Sequence, residues 1–145
     1  MNTLSINFNS INATRNDRAT GKVNVSSNIG IDSVEDASIG VDKKNKTMKI
    51  NFTFTTKYSG DFAEIVLKGT MIVLEESKKA KTIIDGWAKN KKLNKDFATT
   101  ILNILMTKGS METVLLAKEL NLPSPIQLPT VRAAEPKSAP KKTKK

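Results

Sequence analysis

The stretch from Met48 to Leu74 constrains this chain more than any other. Met48, Ile50, Phe52 and Phe54 alternate with Lys49, Asn51, Thr53 and Thr55. Side chains on a strand change face at every residue, so the pattern is that of a strand with one buried and one wet face. Tyr58-Ser59-Gly60-Asp61 follows as a turn in which Gly60 is free to take positive φ. The return arm puts Ala63, Ile65, Leu67, Met71 and Val73 on one face. Its other face, from Glu64 through Val66, Lys68 and Thr70 to Ile72 and Leu74, turns apolar past Thr70. That far end is expected to be covered on both sides.

Two weaker strands precede this hairpin. Leu4, Ile6 and Phe8 alternate with polar neighbours, and Ile11 and Ala13 continue the strand if Ser10 marks a bulge rather than an end. Lys22 to Ser26 alternates again, with fading periodicity through Ile29, Ile31 and Val34. Consecutive strands with short links usually pair in sequence, which predicts a four-stranded antiparallel sheet in chain order.

After Leu74 the apolar period lengthens to that of a helix. Ala80, Ile83, Ile84, Trp87 and Ala88 form one stripe of a helix starting near Lys78, with Glu75, Glu76 and Ser77 as its N-terminal charge and cap. Asn90 to Leu93 ends it, and Asn94 caps a second helix over Asp96 to Lys108. Gly109 reads as the C-terminal stop of that helix, and Ser110 as the cap of a third in which Met111, Val114, Leu115 and Leu120 face inward. Leu122 to Pro129 holds three prolines and is an extended apolar segment. The fold class expected is α+β: a four-stranded antiparallel sheet covered by C-terminal helices over residues 1–132. Residues 133–145 are an Ala/Pro/Lys tail whose composition predicts disorder.

Composition narrows function mainly by exclusion. There is no Cys and no His, which removes thiol chemistry, disulfides, soft metal sites and the commonest general base. Glu64, Glu75, Glu76 and Asp85 each read as solvent-face or helix-terminal charge, and no phosphate-cradling loop or nucleophile motif is present. The reading is of a protein that is not an enzyme and takes no cofactor or metal. Met1-Asn2-Thr3-Leu4 shows no basic n-region followed by an apolar run and no later stretch is long and apolar enough to span a bilayer, so a soluble cytoplasmic protein is expected.

The net charge of +10 is concentrated in two places. Residues 78–95 hold Lys78, Lys79, Lys81, Lys89, Lys91, Lys92 and Lys95 against Asp85 alone, and 133–145 carries Lys141, Lys142, Lys144 and Lys145 in its last five residues. Such bias costs self-repulsion that an anionic partner would offset, an rRNA or ribosomal surface among the choices. The aromatic–basic interleaving that reads bases is missing.

The order of four strands, helices and a proline-rich apolar link resembles the SecB-type export chaperones. The residues that carry the resemblance are Ile101 to Gly109, a helix ending at glycine, and Leu120-Asn121-Leu122-Pro123-Ser124-Pro125-Ile126-Gln127-Leu128-Pro129-Thr130-Val131, an extended link of the family's type. The chain departs from the family by an added helix, Ser110 to Glu119, and by a basic end where the family is acidic. The resemblance implies a holdase that captures non-native polypeptides, with Phe52, Phe54, Tyr58 and Trp87 as candidate client contacts. An unguarded first strand and the resemblance together imply a homo-oligomer.

Overall fold

The computed structural model describes residues 1–17, 23–37 and 43–125. Four strands precede two helices: β1 (Asn2–Arg15), β2 (Val25–Asp36), β3 (Asn45–Tyr58), β4 (Ala63–Glu76), α1 (Ser77–Asn90) and α2 (Lys95–Glu119). Every strand pairing is antiparallel and both helices lie on one face of the sheet, which is the expected α+β architecture. The lateral order is β1-β4-β3-β2, so the expectation of pairing in chain order is corrected: β1 returns beside β4, as in a Greek key. The two strands with the most complete apolar faces take the centre. The more polar β1 and β2 take the edges, where unpaired backbone groups can meet water.

The β3–β4 hairpin holds one unbroken register from Tyr58↔Ala63 to Asn45↔Glu76, and its turn puts Gly60 at φ 69° and Asp61 at φ 55°. On the inner face Met48, Ile50, Phe52, Phe54, Ile65, Leu67, Met71 and Val73 are all fully buried. Each such side chain contributes about 1.5–3 kcal/mol of apolar burial. Gly69 lies among them because nothing larger fits: a Cβ there would sit 2.3 Å from the Asn7 carbonyl oxygen and 2.8 Å from the Phe52 ring. Phe8 meets that ring edge-on from β1, with centroids 6.0 Å apart.

Strand β1 runs longer than its central alternation suggests, and two register shifts interrupt it, between Thr3 and Ser5 and between Phe8 and Ser10. The second makes Ser10 the site of a bulge rather than an end. It changes the parity of the strand, so that Ile11 and Ala13 oppose Leu67 and Ile65 on the same face as Ile6 and Phe8. Without it, half of the apolar residues of β1 would point to the wet side.

The largest departure from the sequence reading is in the helices. Residues 95–119 form one continuous helix, and neither a stop at Gly109 nor a separate helix from Ser110 exists. Ile101, Leu105, Gly109, Thr113 and Ala117 recur every fourth residue and are its buried positions. Gly109 marks a close approach: a Cβ would lie 2.4 Å from the Phe54 ring. The buried Thr113 hydroxyl donates to the Gly109 carbonyl at 2.7 Å and is satisfied without leaving the helix.

Asn94 caps α2 as expected, accepting from the backbone N–H groups of Asp96 and Phe97 at 2.9 and 3.2 Å. The helix stops ten residues beyond Gly109. Asn121 takes a left-handed conformation, Leu122 N–H donates to the Ala117 carbonyl and Asn121 N–H to that of Lys118. This is a Schellman closure, with Leu122 buried beside Ala117. The start of the proline-rich link is thereby held on the body, and Tyr58 O–H donates to the Pro123 carbonyl at 2.5 Å. Residues 126–145, including the tail boundary and the four terminal lysines named above, lie outside the described residues.

The middle of the outer face of the sheet is polar and hydrogen-bonded across the strands. Asn9 donates to Thr70, Thr70 to Asn51, and Asn51 to Ser33 and Glu35, a hydrogen-bonded row that crosses all four strands. At the end expected to be covered on both sides, Ile72 and Leu74 are half-buried and Thr47, paired with Leu74, is 1% exposed.

Candidate functional site

The helix layer does not cover the sheet evenly. Both helices pack on β2, β3 and β4, so the inner face of β1 is left at its margin. Ile6 and Phe8 are half-buried there, and Ile11, on the same face, is exposed. Leu4, at the first bulge, is exposed as well.

Two apolar pairs on α2 are also uncovered, Met111 with Leu115 and, about 180° round the helix, Leu102 with Met106. Met111 is 62% exposed and Leu115 59%, with Leu102 and Met106 also open to solvent. The cause is helical phase. Gly109 and Thr113 face the sheet, and Met111 lies two residues from each, about 200° round the helix at 3.6 residues per turn. Reading Gly109 as a stop reset that phase and sent Met111 and Leu115 inward. The unbroken helix sends them outward. The one signal that could have revealed it is the four-residue spacing of Ile101, Leu105, Gly109, Thr113 and Ala117, read through the glycine.

The expected client contacts fall elsewhere. Phe52 and Phe54 are core residues, one covering Gly69 and the other Gly109. Tyr58 is 2% exposed, with Phe62 edge-on at 6.4 Å. Burial lifts its phenol above the ordinary value of 10.0, because the phenolate would lose its hydration. These three present no surface to a client in this conformation. Trp87 is half-buried among Ile83, Ile84 and the sheet, with the Lys91 ammonium 5.8 Å from its ring centroid.

The lysines all lie at the surface, and only Lys78 and Lys79 share a cleft. Lys78, Lys79, Lys81 and Lys89 are exposed on α1, Lys91 and Lys92 in the link, and Lys95 at the start of α2. None of the seven has a carboxylate within ion-pair distance among the described residues. Between the N-terminal turns of the two helices lies a cleft of about 550 Å³, lined by Lys78, Lys79, Ile83, Asp96 and Phe97 among others.

Comparison with solved structures identifies this arrangement. A SecB-like chaperone of Mycobacterium tuberculosis, solved in complex with a peptide from an antitoxin, matches with a TM-score of 0.52 at 12% identity, covering 92% of this chain and 91% of that one. The fold is SecB-like. No protein-family model matches the sequence and no curated protein matches it. At 12% identity the likeness is one of fold. The outer face of this SecB-like sheet mixes Lys49, Lys57 and Lys68 with Asp32, Glu35 and Glu64. Among the described residues no helix is long and apolar enough to cross a membrane, and no cluster of metal-ligating side chains occurs.

Proposed function

We propose that this protein is a holdase-type chaperone that captures non-native polypeptide segments on the apolar face of α2, without doing chemistry on them. The observation that carries the reading is the solvent-facing pair Met111 and Leu115 on a SecB-like scaffold, with Leu102 and Met106 also open on another side of α2. Large apolar side chains aimed at water on an otherwise well-packed helix are a liability unless something covers them. Two of the four are methionines, whose flexible thioethers adapt to differently shaped partners. Capture is driven by apolar burial at about 25 cal/mol per Å², reduced by the cost of ordering the client. Trp87, half-buried at the edge of α1, is a second candidate contact.

The same reading places the protein in the cytoplasm as a homo-oligomer joined through the open edge of β1, where Leu4 and Ile11 would be covered. A rival reading, attachment to RNA or the ribosome, draws its support from the seven exposed lysines, none with a carboxylate partner among the described residues.

The test is suppression of aggregation of a neutral unfolded client by the M111S/L115S double variant. We expect most of the activity to be lost while the melting temperature stays within about 2 °C, because surface changes of this kind rarely exceed roughly 0.5 kcal/mol. Replacing the seven lysines with glutamine should leave that activity intact, since apolar burial is insensitive to moderate salt. Loss of activity in the lysine variant alone, together with steeply salt-dependent RNA binding, would give the case to the rival.

A further inference from the structure

We infer that Ile126-Gln127-Leu128-Pro129-Thr130-Val131 of this chain is a strap over the uncovered inner face of β1, where it competes with a second copy. The competition rests on the proposed homo-oligomer, and the docking does not. Ile6 and Phe8 are half-buried on that face and Ile11 is 49% exposed, because the helices pack on β2, β3 and β4. An apolar strip of this kind beside an open sheet edge needs cover.

The last described contacts deliver the chain to this place. Leu122 is buried in the cluster that holds Ala63, Ile65 and Leu67 of β4 and takes in Phe8 and Ala13 of β1. The Pro123 carbonyl accepts from Tyr58 O–H, and Tyr58 pairs with Ala63, which pairs in turn with Arg15. The link therefore sets out from the end of the sheet where β1 finishes. Ile11 pairs with Leu67, so it lies two strand spacings across from Tyr58 and four residues along, about 16 Å in all. Five extended residues from Ser124 reach about 17 Å, which brings Leu128 to Ile11. Ser124 and Leu128 each precede a proline, which biases both to extended backbone, and on an extended chain Ile126 and Leu128 share a face. Charge agrees: no charged residue occurs from Leu120 to Val131, and none from Asn2 to Thr14. The inner face of β2, at the other edge, already packs under α1. Tethering decides between occupants, since a segment on so short a connection faces β1 at about millimolar effective concentration, above that of a second copy at micromolar protein.

The chain has no cysteine, so disulfide trapping in the full chain reads one designed pair at a time. At low micromolar concentration I11C/L128C should close an intramolecular disulfide about tenfold faster than N12C/L128C, because residue 12 stands on the other face of β1. Light scattering on I126S/L128S, which leaves the net charge unchanged, should find self-association at a concentration about five- to tenfold lower than in wild type. Equal closure rates for the two pairs overturn the inference. A disulfide that forms only between two molecules gives the face to a second copy and overturns it as well. If an added unfolded client blocks thiol labelling of I11C that the link alone leaves open, the face belongs to clients and the inference falls. Fast closure of I11C/L128C with no self-association in wild type or I126S/L128S supports the strap and overturns the homo-oligomer reading, together with the competition that rests on it.

Discussion

Strand β4 has two neighbours, β3 and β1, joined to it by ladders of similar length, and they differ in almost everything else. β3 keeps one register throughout and buries every inner-face side chain from Met48 to Tyr58. β1 is broken by two register shifts, and of its inner-face residues Ile6, Phe8 and Ala13 are half-buried while Ile11 is exposed. Their ladders with β4 do not separate them, because each pairs with it along its full length. What separates them is the helix layer, which covers β3 and stops short of β1. Ladders fix which residues share a face. Only a second layer decides whether that face is core or surface. The same contrast recurs along α2, whose sheet side is filled by Gly109, Thr113 and Ala117 while Met111 and Leu115 meet solvent.

The largest expected effect sharpens the contrast directly. Phe54→Ala on β3 should cost about 3–5 kcal/mol in chemical denaturation, since it empties a closed site. Ile11→Ala on β1 should cost less than about 1 kcal/mol. Equal losses would mean that the helix layer reaches β1 in solution. Next comes Gly109→Ala, expected to lose about 1–3 kcal/mol through collision with the Phe54 ring. On helix propensity alone the same change would gain nearly 1 kcal/mol, so its sign tests whether α2 seats where the structure puts it.

Tyr58→Phe should cost about 1 kcal/mol for the lost bond to Pro123. Its pH dependence has a definite sign. The folded-state value is raised, so the contribution is whole below the unfolded value near pH 10 and is lost as pH rises through the folded value. Wild type should therefore weaken in the alkaline limb of a pH–stability curve more than Y58F does. The smallest change in stability is expected from L4K/I11K, whose effect belongs in light scattering: self-association should fall while the melting curve holds. A strict monomer in the unaltered protein would remove the β1 interface altogether.

Much of this molecule was legible in one dimension. The alternation from Met48 to Phe54 and from Ala63 to Val73 specified the central hairpin and its buried face. Asn94 announced the start of α2, while Ser10 left a bulge and a strand end equally open, and the register shift beside it keeps Ile11 in phase with Phe8. These are local rules, in which a residue's own conformational preferences and a period of two or 3.6 suffice. Gly109 was misread because a glycine has two unrelated uses. It can end a helix by taking positive φ, or it can let another group approach the backbone, and only the four-residue spacing from Ile101 to Ala117 tells them apart along the chain. The deciding group is Phe54, fifty-five residues away, whose ring fills the space of the missing Cβ. From that one contact followed the phase of α2, the exposure of Met111 and Leu115, and hence the candidate surface. Strand order was decided in the same way. The chain carries the faces of its strands, but which strand lies beside β4 depends on competition for cover between elements that meet only in the folded protein.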